Sequence, residues 1–209
     1  VEGDRIMISF FLRLWSKISN TDTVFRVAES KKQIFLTFDD GPIPEVTPKV
    51  LDILKRYNAK ATFFCVGDNI RKHPDCFERL KAEGHSVGNH TMHHLKASKV
   101  DFDTYINDVE QCRDLCDSVL FRPPYGGLSS DLKQELKKRG FRLVLWSAIS
   151  FDYDKKISQS SCYRNVARLR SGDIVLFHDS LKSEQNTLYA LEKVLKRYSD
   201  LGFSFCALK

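Results

Sequence analysis

Nowhere in the 209 residues does an apolar run reach the roughly 18 positions that a membrane-spanning helix requires. There is no C-x-x-C pair among the six cysteines, and no G-x-x-x-x-G-K-[ST] or G-x-G-x-x-G among the ten glycines. Low-complexity linkers and internal repeats are also missing. The first absence leaves no spanning segment in the stretch. The second favours unpaired thiols over a disulfide framework, with Cys65 and Cys206 inside apolar, strand-like runs where a thiol acts as a small hydrophobe. The third removes a nucleotide-phosphate loop. Excess charge is scarce too: 33 Lys and Arg face 27 acids, a scattered surplus of +6. It suits an acidic surface or polyanionic wall as a neighbour and does not single out nucleic acid. What remains is an ordinary globular composition, 42% apolar and 29% charged. A chain of this length buries about 70% of the surface it would expose unfolded. It begins at Val1, which leaves a leader or anchor ahead of it, and the compartment, open.

From residue 34 onward short apolar runs alternate with longer segments of helical spacing. The runs lie at 34–38, 61–66, 85–89, 119–121, 142–147, 173–177 and 203–208, rich in Val, Ile, Phe and Thr. Helical faces include Tyr105, Val109, Cys112 and Cys116, and Leu188, Leu191, Leu195 and Tyr198. Gly84, Gly140, Gly172 and Gly202 stand just before the next strand, as helix C-terminal caps. Seven strands alternating with helices predict an α/β fold with a parallel sheet covered on both sides, open or closed into a barrel. Residues 4–18 stand apart. Ile6, Met7, Phe10, Phe11, Leu14, Trp15 and Ile18 form a stripe that predicts an amphipathic helix packed on the domain. The alternative is a peripheral membrane contact, apolar face down with a basic flank.

Unusual polar residues collect where strands end. Asp39 and Asp40 follow one run, His90 and His94 another, Arg122 a third, Asp152 a fourth and His178 a fifth. In parallel α/β architectures that edge carries ligands and chemistry. His90 and His94 with one carboxylate make a three-ligand set suited to catalytic zinc with a position left for water. Asp39 and Asp40, successive on extended backbone, are expected to point apart, one to a metal and one to a reacting proton. His178 stands across as a proton donor, so the set describes metal-assisted hydrolysis of a carbonyl compound. A receiver domain would use the paired acids but leaves these histidines without a task. His73, His85 and His93 are read as surface or hydrogen-bonded histidines.

The strings TFDDGP (37–42), HTMHH (90–94), RPPYG (122–126), a degenerate SFDY (150–153) and LFH (176–178) occur in the order of the polysaccharide deacetylase family. The chain resembles these NodB-homology carbohydrate esterases over about residues 34–208. The resemblance implies a distorted (β/α)7 barrel, with 31–209 as the deacetylase domain; residues 1–30 are expected to form an N-terminal helix and lead-in strand packed on it. It implies removal of acetyl groups, N-acetyl favoured, from a polysaccharide such as chitin oligomers or peptidoglycan, in the cell envelope or outside the cell. Asp40, His90 and His94 would hold a divalent metal, zinc first, cobalt or another ion second. Asp39 would be the base and His178 the acid, oriented by Arg122 and Asp152 respectively. Leu176 would line the acetyl-methyl pocket and the Tyr125 amide the oxyanion hole. The usual first aspartate of the fourth string is Ile149, expected to alter only packing, and its tryptophan is Tyr153, one wall of the substrate groove. The alternatives are an O-acetyl esterase on xylan or another acylated wall polymer, and a non-catalytic carbohydrate-binding barrel. Oligomeric state is left open.

Overall fold

The computed structural model of the chain describes residues 23–27 and 31–209. The helix expected over 4–18 lies outside the described residues. Eight strands are described: β1 (Gln33–Asp39), β2 (Ala61–Cys65), β3 (Ser86–Asn89), β4 (Leu120–Phe121), β5 (Arg142–Leu143), β6 (Ala148–Ile149), β7 (Ile174–His178) and β8 (Ser204–Phe205). Between them run α1 (Thr47–Arg56), α2 (Gly67–Lys72), α3 (Pro74–Ala82), α4 (Phe102–Cys116), α5 (Ser130–Lys138), α6 (Gln159–Asn165) and α7 (Glu184–Asp200). None of the described helices is long and apolar enough to cross a membrane.

The strands pair in the order β5-β4-β3-β2-β1-β7-β6, every pairing parallel. β8 joins the first two residues of β1, Gln33 and Ile34, below the point where β2 begins pairing. This is the curled, distorted (β/α)7 barrel expected. Its strands read as unbroken apolar runs because both faces are covered: every residue of β1 after Gln33 is buried, and so is all of β2. Between β5 and β7 the lead-in residues fill the seam, with Val24 bridging Val144 and the Val27 amide donating to the Gly172 carbonyl.

Two details differ from the sequence-based expectation. The apolar run 142–147 does not form one strand. β5 ends at Leu143, and the sheet resumes on the far edge with β6 at 148–149, because Val144 and Leu145 pair with Val24 of the lead-in segment. Gly84, Gly140 and Gly202 follow α3, α5 and α7 with positive φ, where a side chain would be strained. Gly172, also at positive φ, instead turns the chain into β7, seven residues past the end of α6. The helical stripe Tyr105, Val109, Cys112 and Cys116 is wholly buried on α4. On α7, Leu191, Leu195 and Tyr198 are buried and Leu188 is partly so. All six cysteines are free thiols, four of them buried and Cys76 and Cys206 partly exposed.

Candidate active site

At the carboxyl edge of this sheet β1 ends on Asp39, β7 on His178, and the two residues are register partners. β3 delivers His90 one residue past its end, and β4 delivers Arg122 in the same way. With Asp40, His94, Tyr125, Tyr153 and Leu176 these residues gather at a cavity of about 270 Å³. Arg122 and Asp152 stand behind it, fully buried.

The expected divergence of the two aspartates does not occur. Asp40 has φ 85°, so the chain leaves extended geometry at that residue and both carboxylates reach the same cavity. An Oδ atom of Asp39 lies 3.8 Å from His90 Nε2, and one of Asp40 lies 3.9 Å from the same nitrogen. The next residue, Gly41, approaches Asp179 so closely that a Cβ there would meet its Oδ2 at 2.0 Å. Asp179 accepts from the Gly41 amide (3.1 Å) and the Thr47 hydroxyl (2.5 Å), anchoring the turn that follows the two aspartates. Burial drives this carboxyl up to about 7, with the Thr47 hydrogen bond opposing. Sequence reasoning missed Asp179. Its one clue was its place beside His178.

His90 and His94 sit on a loop rather than a helix, with Thr91 and His94 both at positive φ. One donor atom each of Asp40, His90 and His94 falls within 4.8 Å of the others. Asp40 Oδ1 is 3.2 Å from His94 Nε2. His90 Nδ1 is 2.7 Å from the Arg122 carbonyl. That contact fixes the Nδ1–H tautomer and leaves the Nε2 lone pair on the side of Asp40, the arrangement metal-binding histidines use. Burial lowers the His90 pKa against the pull of Asp39 and Asp40, so the ring is neutral, as a ligand must be. Burial opposes ionisation of Asp40. Even so, the hydrogen bond with His94 and the fields of His178 and His90 hold its carboxyl far below the ordinary range. One anionic oxygen and two imidazoles thus fit a divalent cation.

Arg122 Nη1 donates to Asp39 Oδ1 (2.7 Å) and to the Thr37 hydroxyl (2.8 Å). Nε and Nη2 donate to the Val144 and Leu145 carbonyls. Across the cavity Asp152 accepts from the His178 backbone amide and pairs with His178 Nδ1, both at 2.7 Å, and it accepts from the Thr187 hydroxyl at 2.7 Å. Burial depresses the imidazolium of His178, but the charge and hydrogen bond of Asp152, with Asp40 and Asp39 beyond, lift its pKa to about 9. At neutral pH it is therefore a charged acid, held by one nitrogen.

His93, next to a candidate ligand, is tied by Nδ1 to Asp108 of α4 at 2.5 Å. His85 Nδ1 accepts from the Ala61 amide at 3.1 Å, and burial lowers its pKa to about 4. Both are the hydrogen-bonded histidines expected. Ile149, expected only to alter packing, lies on the cavity wall, as do Trp146 and Lys182, which sequence reasoning did not select.

A family model described as polysaccharide deacetylase matches residues 26–144. A peptidoglycan-N-acetylglucosamine deacetylase of Bacillus cereus is 36% identical over 188 residues, covering 87% of this chain and 88% of that relative. The chain belongs to the polysaccharide deacetylase family. Another member of the family, a chitooligosaccharide deacetylase of Azorhizobium caulinodans, is 30% identical over 197 residues, covering 86% of this chain and 94% of its own length. Among solved structures of polysaccharide deacetylases, the Bc1960 peptidoglycan N-acetylglucosamine deacetylase superposes with a TM-score of 0.86 at 32% identity. That match spans 93% of this chain and 94% of that one.

Proposed function

We propose that the chain is a metal-dependent deacetylase that hydrolyses N-acetyl groups on a cell-wall glycan, with N-acetylglucosamine units as substrate. One observation carries this reading: a carboxylate held by Arg122 and an imidazolium held by Asp152 line one cavity with the Asp40, His90 and His94 donor set. The relatives named above, acting on peptidoglycan and chitooligosaccharide, support the substrate class.

A divalent ion bound by Asp40, His90 and His94 would acidify a water and polarise the acetyl carbonyl, and the oxygen and nitrogen donors suit zinc. Asp39 takes the proton from the attacking water. Arg122 keeps that carboxylate aimed. The Tyr125 amide is the donor to the oxyanion, and Leu176 and Ile149 supply the apolar wall for the acetyl methyl group. His178 then protonates the departing nitrogen. An amine leaves poorly as an anion, so an amide needs this acid more than an ester does, which favours N-acetyl over O-acetyl substrates. By the same reading the enzyme works in the cell envelope or outside the cell.

Metal-replete protein is expected to release acetate from N-acetylated chitooligosaccharides and peptidoglycan, to stop with a chelator, and to recover with zinc or cobalt. Acetate from acetyl-xylan alone would turn the reading to an O-acetyl esterase, and acetate from no polymer would end it.

The charge on His178 sets a second expectation. Its folded pKa of about 9 exceeds the ordinary 6.5, so the stability its ion pair contributes is fully present below about 6.5, and the charge itself is lost as pH rises through about 9. The rate on an amide substrate should fall across that upper limb. Asp152→Asn removes the charge that raises the pKa, so the limb should move to lower pH in a pH–kcat profile. A limb that stays in place would show that another group sets it.

A further inference from the structure

Twice at the catalytic cavity a histidine, a tyrosine and a lysine lie next to one another. His94 packs at a tilt against Tyr125 (centroids 5.1 Å apart), and Lys96 Nζ sits 5.5 Å from the centroid of that tyrosine ring. In the second group His178 meets Tyr153 edge-on (5.0 Å), and Lys182 Nζ sits 5.7 Å from its ring. Each tyrosine is exposed, Tyr125 to 67%. Each flank also opens into a further cavity. Tyr125 and Lys96 line one of about 320 Å³, and Lys182 lines another of about 460 Å³ together with Lys155. Tyr125 and Lys182 also line the catalytic cavity, so each further cavity shares a wall residue with it. Lys96 is the only charged residue of the smaller flank. In the larger, the one acid is Glu184, and Lys49 neutralises it at 2.5 Å. Asp154, beside Lys155, accepts from the Lys156 amide. Neither Lys96 nor Lys182 has a carboxylate partner among the described residues.

Building on the deacetylase reading above, we propose that Lys96 and Lys182 are specificity residues that select a glycan strand bearing carboxylates on the sugars to either side of the reacting N-acetyl unit. An aromatic face suits a sugar ring, and an ammonium beyond it suits an anion carried by the next sugar. Two such pairs around one reaction centre describe a strand passing through, not a chain end capped by it. The lysines lie outside the groups that handle protons, so their contribution is to binding and appears in KM rather than kcat. Exposed charge pairs are individually weak and screened by salt, which sets the expected size.

The test compares one carboxylate-bearing N-acetylated glycan with the same polymer after its carboxyls are reduced to alcohols. Wild-type protein should prefer the acidic polymer at low salt and lose the preference near 1 M salt. Lys96→Gln and Lys182→Gln should each lower the acidic-to-reduced ratio of kcat/KM roughly threefold, and the double variant roughly tenfold, because the two lysines line separate cavities and share no partner. The double arginine variant should keep the ratio. An unchanged ratio in the double glutamine variant overturns the proposal. If no polymer yields acetate, the deacetylase reading falls separately. Equilibrium binding of the two polymers to wild-type and double-glutamine protein then decides the charge selection, on the same expected ratios.

Discussion

Asp39→Asn is expected to hold its metal at one ion per chain while kcat on an N-acetyl glycan falls by about 10²–10⁴, the range that a positioned general base supplies. The substitution is nearly isosteric and spares Asp40, His90 and His94, so the donor set is unaltered. It also leaves Arg122 buried without its anionic partner, ordinarily a costly state. Here the guanidinium keeps the Thr37 hydroxyl and the Val144 and Leu145 carbonyls, and the amide oxygen of the new side chain can still accept from Nη1. The fold is therefore expected to survive. Steady-state kinetics beside elemental analysis separate the two effects: wild-type kcat would remove Asp39 as the base, and lost metal would make it a ligand.

His90→Ala should produce the opposite pattern. Two remaining donors, Asp40 and His94, hold a divalent ion poorly, so metal content should drop well below one per chain and activity should disappear with it. His90 is the most buried member of the set, and the Arg122 carbonyl orients it. Circular dichroism matching the wild type would show that the barrel is intact. Stoichiometric metal in this folded variant would remove His90 from the site.

Much of this arrangement was legible because parallel sheets bury both faces of their strands. Asp39, His90, Arg122 and His178 stood out in the chain as polar residues at the ends of apolar runs, and those ends share one edge of the sheet. Helix faces on α4 and α7 and the glycines after α3, α5 and α7 were readable for equally local reasons. What failed depended on distant partners. The run 142–147 gave no sign that Val24 would pair with its middle and divide it between two edges of the sheet. Alternation along a strand could not foresee the left-handed turn at Asp40, which brings both carboxylates to one side. Trp146 and Lys182 come from loops, where no periodicity marks the direction of a side chain, and Asp179 matters through Gly41 and Thr47, more than 130 residues away in sequence.

Arg122 joins parts of the molecule that the backbone ladder joins only weakly. β4 and β5 are two residues each, yet this side chain binds β1 at Thr37 and Asp39 and the stretch beyond β5 at two carbonyls, while its own carbonyl steadies His90. The thinnest part of the sheet is thus stitched to the strand at its centre by a single guanidinium. Opening that edge must release Asp39 and His90 in the same event, so on the proposed mechanism a partly unravelled barrel has no half-working catalytic state.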